Sequence, residues 1–344
     1  MAQKKNQVDS FKNFSDALDA DRIGCFYIFH GEERYLIDRM LIKLRSKLCP
    51  EGLDSFNYKR FEGKSLSVDE LDAAIDMLPS FAERTFIEVH DFDLFATGDK
   101  SRQAQLVRIF ANLPEYVCIL FCYDTIQFKP DRRVKVNAEI LKYAQVVEFV
   151  LQEQTKILKW IKVHYRDAGK SISDADAKYL VFITGGYMSA LDTEIEKTAA
   201  FAKGDAVTRE DIDAVVTPVL DAVAYKLTDA LAEHRHADAM RVMDELFQMK
   251  EPPHKLIFSI SLKMRQLLAA KVCINSGLSK NDFIDMCGIR FEFQARSLMD
   301  TARKTSLEGC RRAVLFCSET ALELNSESDP EARMTELITR LATI

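Results

Sequence analysis

The stretch that most constrains this chain is residues 24–48, GCFYIFHGEERYLIDRMLIKLRSKL. Residues 25–29 form an apolar, aromatic-rich run of strand length, and Gly31 breaks it. An amphipathic helix follows, with Leu36, Ile37, Met40, Leu41, Leu44 and Leu48 on one face. Strand, glycine turn and helix are the parts of a phosphate-binding loop, which ordinarily reads GxxxxGK followed by Ser or Thr. Here the turn is His30-Gly31-Glu32-Glu33-Arg34-Tyr35, with no second glycine, no lysine and no hydroxyl for a metal. Glu32 and Glu33 are expected in the first turn of the helix. There they complement its dipole by roughly 0.3–1 kcal/mol each and repel a polyphosphate. Two readings stand at this point. One is a nucleotide-binding architecture whose nucleotide site is filled from within; the other is a plain βα start with two acids favoured by the dipole.

Downstream, strands and helices alternate. Pro50, Glu51 and Gly52 stop the first helix, and 56–61 (FNYKRF) alternates aromatic with polar residues, as a strand with one exposed side does. Ser67, with Glu70 in the capping-box place, starts a helix carrying Val68, Leu71, Ile75 and Leu78, which Pro79 ends. Residues 85–89 are the next strand, and Ser101 opens a helix over Leu106, Ile109, Phe110 and Leu113. The run 116–123 (YVCILFCY) is apolar on both faces and reads as a central parallel strand. A basic helix at 131–143 and a fifth strand at 146–150 follow. The alternation predicts an α/β domain with a parallel, helix-covered sheet.

From Gln152 onward no strand signal appears. Helices at 155–165, after the cap Ser173, and at 187–203 are followed by a capping-box-like start at Thr208 to a short helix ending near Pro218. The remainder, 220–344, reads as all helix. Leu307, Cys310, Val314, Cys317, Ala321 and Leu324 form a narrow seam, and Asp329-Pro330 starts the final helix.

The length of 344 residues fits two or three domains. The N-terminal MAQKKNQVDS has no apolar core, and the longest apolar run, eight residues, is far short of a membrane span. No membrane association is expected. The eight cysteines contain no CxxC pair and mostly sit in apolar stretches, which suggests buried thiols in a reducing cytoplasm and no zinc site. A net charge of −6 argues against a dominant nucleic-acid binder. The block 254–312 departs from this, with eleven Lys+Arg against five Asp+Glu, or +6. Lys263, Arg265 and Lys271 within it form either a solvated surface or a patch for DNA or a partner.

No catalytic constellation is visible. His234 and His236 lack metal-ligand spacing, His30 has no Ser or Cys partner, and Asp124, at the end of the central strand, has no phosphate-loop lysine to work with. No catalytic residue, metal or cofactor is expected.

The landmarks, in their order and spacing, resemble the delta subunit of the bacterial DNA polymerase III clamp loader over residues 24–341. Tyr27-Ile28-Phe29-His30-Gly31-Glu32-Glu33 followed by Tyr35-Leu36-Ile37 is similar to that family's opening strand and turn. Met77-Leu78-Pro79-Ser80-Phe81-Ala82-Glu83-Arg84 resembles its segment before the third strand. Asp131-Arg132-Arg133 with Lys135, Val146-Val147-Glu148-Phe149, Glu194-Ile195-Glu196-Lys197, and Arg265-Gln266 with Lys271 resemble later landmarks. Near the end the family has an acidic loop and a lysine; this chain has 327–333 with Arg333 in the lysine's place.

The resemblance implies three domains: an AAA+-like α/β domain at 1–151 without ATPase activity, a three-helix lid-like domain at 152–218, and a helical collar at 219–344. It implies a subunit that binds the sliding clamp and opens one ring interface, in a loader with ATP-hydrolysing gamma/tau subunits and delta prime. Primed DNA is reached through the assembled complex. No intrinsic enzymatic activity is implied, although the family is catalogued with DNA-directed DNA polymerase because of the holoenzyme. The implied clamp contact is Phe81, with Leu78, Met77, Ser80 and Arg84 around it. The family generally has an apolar residue where Ser80 stands, so Leu78 or Met77 is the second anchor. Two rival readings are an AAA+-type NTPase with a degenerate loop and a DNA-binding adaptor using 254–312.

Overall fold

A computed structural model describes every residue except 1–9, 50, 51, 53, 97, 98, 234, 325–328 and 344. The helix stop expected at Pro50 and Glu51, His234, and the beginning of the acidic segment at Glu327 and Ser328 lie outside the described residues. The chain forms two compact units, Met1–Leu151 and Gln152–Ile344.

The first unit runs α1 (Ser10–Asp19), β1 (Phe26–Gly31), α2 (Arg34–Leu48), α3 (Asp54–Asn57), β2 (Tyr58–Glu62), α4 (Val68–Ile75), β3 (Thr85–His90), α5 (Lys100–Ala111), β4 (Val117–Cys122), α6 (Lys135–Tyr143) and β5 (Gln145–Phe149). The strand order is β2-β3-β4-β1-β5, all parallel. β3 and β4 are buried along their whole length, as strands covered on both faces must be, while β2 at the edge alternates. Alternation splits β1 between two cores. Tyr27 and Phe29 pack with Phe14, Ile37 and Leu44, and Phe26 and Ile28 pack with Leu71, Leu106 and Phe110 on the other face.

Several boundaries differ from the sequence reading. The edge strand begins at Tyr58, because 54–57 close a helical turn that leaves Phe56 exposed. The capping box at Ser67 and Glu70 forms, but α4 ends at Ile75 rather than near Pro79. Proline disfavours helix at the residue before it, and Met77 and Leu78 face away from the sheet into solvent. α5 starts one residue before Ser101, with Asp99 accepting from the Arg102 amide. α6 starts at Lys135, because Asp131 accepts from the Arg133 amide and holds a local turn instead.

The second unit runs α7 (Gln154–Asp167), β6 (Ser171–Ile172), α8 (Asp174–Ile183), α9 (Met188–Phe201), β7 (Ala206–Val207), α10 (Arg209–Val215), α11 (Leu220–Ala232), α12 (His236–Gln248), α13 (Pro253–Asn275), α14 (Lys280–Cys287), α15 (Glu292–Lys304), α16 (Leu307–Glu323) and α17 (Pro330–Leu341). Ser173, Thr208 and Asp329 cap α8, α10 and α17 as their sequence contexts indicate. β6 and β7 pair in parallel, contrary to the strand-free reading. Two residues are too few for alternation to show in sequence. One apolar core gathers Ile157 through Val216 and a second gathers Leu220 through Leu341, with α13 packed against α11, α15 and α16. Phe291 sits in the first of these cores. A Cβ on Gly186, whose φ is 71°, would lie 2.3 Å from the Phe291 ring, so only glycine fits there. The expected architecture holds: an α/β parallel-sheet domain followed by a helical region. No helix among the described residues is long and apolar enough to cross a membrane.

Candidate functional site

The β1–α2 turn shows how the phosphate site is closed. β1 ends at Gly31 and α2 begins at Arg34, so only Glu32 and Glu33 separate them. Neither acid lies in the first helical turn, a correction to the sequence reading. Glu33 is the N-cap residue, is buried, and makes no side-chain cap bond. The cause is pairing with β5: Gly31 stays in the strand opposite Phe149, with φ 133°. A Cβ there would fall 2.2 Å from the Phe149 carbonyl oxygen. The Glu33 amide donates to that same oxygen at 3.1 Å, so a donor that could face a phosphate is bonded within the sheet.

Beside this turn lies a polar cluster at the carboxyl ends of β3 and β4, where nucleotide-binding α/β domains hold phosphate and metal. Arg34 forms an ion pair with Asp124 and a longer one with Asp38 at 3.6 Å. The other oxygen of Asp124 meets His90 Nδ1, and His90 Nε2 meets Glu88, which also accepts from the Tyr58 hydroxyl at 3.0 Å. Cys122 Sγ donates to Asp124 at 3.0 Å. Glu88 and His90 are both buried. Hydrogen bonds to Asp124, Cys122 and Glu88 outweigh burial and push the His90 imidazole up to about 11. Burial alone would raise the Asp124 carboxyl. The hydrogen bonds from His90 and Cys122 and the charge of Arg34 bring it down to about 2. Donor atoms of His90, Cys122 and Asp124 all lie within 4.8 Å of one another, close enough for a metal ion, and Arg34 Nη1 donates to two of the three, Cys122 and Asp124. Asp124 therefore has a task that the sequence reading denied it. The readable signal was in β3: two ionisable residues two apart, Glu88 and His90, share one face of an otherwise apolar strand.

The loop from α4 to β3 carries the expected contact residues. Phe81 is 86% exposed, Leu78 72% and Met77 53%. Phe81 has φ 59°, a left-handed conformation that costs a bulky residue of order 1–3 kcal/mol. The turn is held from below by Asn57, which is fully buried. Its Nδ2 donates to the Ser80 carbonyl and its Oδ1 accepts from the Ser80 amide, both at 2.7 Å. Ser80 is thus anchored through its backbone. Arg84 does not share the face of Phe81: its guanidinium turns inward and donates to the Ile23 and Gly24 carbonyls at 2.8 and 3.2 Å. Those two carbonyls lie just ahead of β1, so Arg84 ties the start of the sheet together. Asn57 was not singled out from sequence, because nothing local marks an asparagine that bonds 23 residues away.

The three basic residues singled out, Lys263, Arg265 and Lys271, do not form one patch. Lys263 is buried, Arg265 is exposed and Lys271 is half-buried. Lys263 and Arg265 stand two apart on α13, and two residues turn a helix by roughly 200°, so they face opposite sides. His30 stacks on Phe128 at 4.3 Å, and burial lowers its pKa.

Two family models match the chain. One described as DNA polymerase III, delta subunit, matches residues 27–150. The other, DNA polymerase III delta subunit, C-terminal domain, matches 221–340. DNA polymerase III subunit delta of Bacillus subtilis (strain 168) is 22% identical over 291 residues, covering 83% of each chain. The probable DNA polymerase III subunit delta of Aquifex aeolicus (strain VF5) is 22% identical over 297 residues, covering 84% of this chain and 83% of its own. The solved Bacillus subtilis DNA clamp loader delta protein shares the fold, with a TM-score of 0.63 and 19% identity over 97% of this chain and 100% of that one. Taken with the order of the two matched segments, the chain belongs to the family of DNA polymerase III delta subunits.

Proposed function

We propose that this subunit binds the sliding clamp through Phe81, with Leu78 and Met77 as flanking anchors, and opens one interface of the ring. It acts in the cytoplasm within a loader whose gamma/tau subunits hydrolyse ATP and which also contains delta prime. Residues 219–344 serve assembly, 152–218 form the lid-like domain, and primed DNA is reached through the complex. The observation that carries this reading is Phe81 itself: an aromatic ring held in solvent, in a strained conformation, on a turn clamped by a buried asparagine. A large apolar ring presented on a rigid turn suits a pocket-filling anchor, worth ~2–4 kcal/mol, and the rigidity lowers the ordering cost of binding. The closed β1–α2 turn fits a division of labour in which this chain grips the ring and other subunits spend ATP. A DNA-binding face built from Lys263 and Arg265 together is disfavoured, because they face opposite sides of α13. The test is the affinity of the purified chain for the sliding clamp from the same cells. Phe81→Ala should weaken it tens- to hundreds-fold, at ~1.4 kcal/mol per factor of ten. Unchanged clamp affinity in a folded Phe81→Ala chain would sink the reading.

A further inference from the structure

The helical unit contains a cavity of about 950 Å³ that clamp binding does not use, bounded by the end of α8, the start of α11, the middle of α13 and the start of α15. Small-molecule sites usually measure roughly 300–1,000 Å³ and combine apolar walls with a few convergent polar groups. Both are present. Tyr187 and Phe258 line the cavity while remaining 58% and 62% exposed, and Phe291 lines it from the core side. Lys263 also lines it and is 8% exposed. Among the described residues its ammonium has one hydrogen-bond acceptor, Gln266 Oε1, at 3.5 Å, the limit for such a bond. Asp221 attracts it from beyond ion-pair distance while accepting from the Ser259 hydroxyl at 2.9 Å. An ammonium removed from water without a close counter-ion is a receptor for an anion.

The charges around the cavity set the ligand's charge. Lys263 is the lining cation for which no carboxylate among the described residues lies within ion-pair distance, and it offers one positive charge. Lys255 is paired with Glu251 at 2.9 Å, and the Arg290 guanidinium lies over the Tyr187 and Phe291 rings at 5.3 and 4.9 Å. A single negative charge is neutralised here, whereas a polyphosphate would leave several uncompensated. We propose that this cavity binds an aromatic monocarboxylate, with its carboxylate on Lys263 and its ring against the aromatic walls.

Calorimetric titration of the full chain with naphthalene-2-carboxylate, naphthalene-2-carboxamide and acetate tests this. The carboxylate should bind saturably at one per chain, the carboxamide at least ten-fold more weakly, and acetate not at all. Equal binding of carboxylate and carboxamide, or no binding of either, would overturn the proposal. Lys263→Met should weaken carboxylate binding at least ten-fold and leave the thermal midpoint unchanged or raised, because methionine fills the space without a buried charge. Unaltered binding, or a lowered midpoint showing that the fold itself partners the ammonium, would equally overturn it. A second measurement needs no variant: naphthalene-2-carboxylate should protect Lys263 more than Lys255 from amine acylation in the wild-type chain, and no protection counts against the site.

Discussion

Phe81 and Asn57 make a pair in which one residue is strained and the other holds it there. The backbone at Phe81 sits at φ 59°, open to glycine without penalty but not to alanine. Phe81→Gly and Phe81→Ala should therefore lose clamp binding alike, while the glycine variant unfolds at higher denaturant, by about 1 kcal/mol relative to alanine. Equal stability of the two in urea titrations would show that the turn relaxes once the ring is gone. Asn57→Ala removes both partners of Ser80 from the protein interior, at a cost of about 1–3 kcal/mol. Although Asn57 is buried and cannot touch a partner, the substitution should also weaken clamp binding, because Phe81 is no longer presented in one conformation. Full clamp affinity in a destabilised Asn57→Ala chain would separate the turn from the contact.

At the level of elements, β3, β4 and the start of α2 meet in the Glu88–His90–Asp124–Arg34 cluster. His90 is raised from 6.5 to about 11, so its contribution to stability is complete below about pH 6.5 and is lost as pH rises towards 11. Asp124 is lowered from 3.8 to about 2, so its contribution is present above about pH 3.8 and is lost as pH falls through 2. Denaturation midpoints of the wild type should fall more steeply between pH 6.5 and about 9.5 than those of His90→Gln. Parallel slopes would mean that the imidazole is neutral in the fold. The neighbouring β1–α2 turn, with its Glu33 amide bonded to Phe149 and the Glu33 carboxylate at the N-cap, should give no binding heat with Mg-ATP. A micromolar affinity would revive the reading of an NTPase with a degenerate loop.

For the molecule as a whole, the boundary after Leu151 and the lodging of Phe291 among Ile157, Leu180 and Leu191 have different consequences for dissection. Residues 1–151 should fold alone and bind the clamp without joining the loader. A piece ending at Pro218 removes Phe291 from the core around α8, at a cost comparable to Phe→Ala in a core, about 3–5 kcal/mol. Residues 152–218 of that piece should then be cut by protease far faster than in the full chain. Equal resistance would show that the lid-like helices close over the gap.

Periodicity and caps are local, and they were enough for the sheet, the helices and most of their starts. The apolar run at Cys25–Phe29, the all-apolar 117–122 stretch and the boxes at Ser67 and Thr208 each act over a few residues, where backbone geometry and side-chain chemistry coincide. The absence of a lysine and hydroxyl after Gly31 was equally legible, whereas an exposed Phe81 was implied only by the family resemblance. What only the tertiary structure decided is which distant side chains meet. Asn57 reaches Ser80, His90 reaches Asp124, Arg84 turns to Ile23, and Lys263 turns into a cavity instead of onto a surface. These contacts span 23, 34 and 61 residues along the chain, and the direction of a side chain across such separations is set by how sheets and helices pack, which no local pattern encodes.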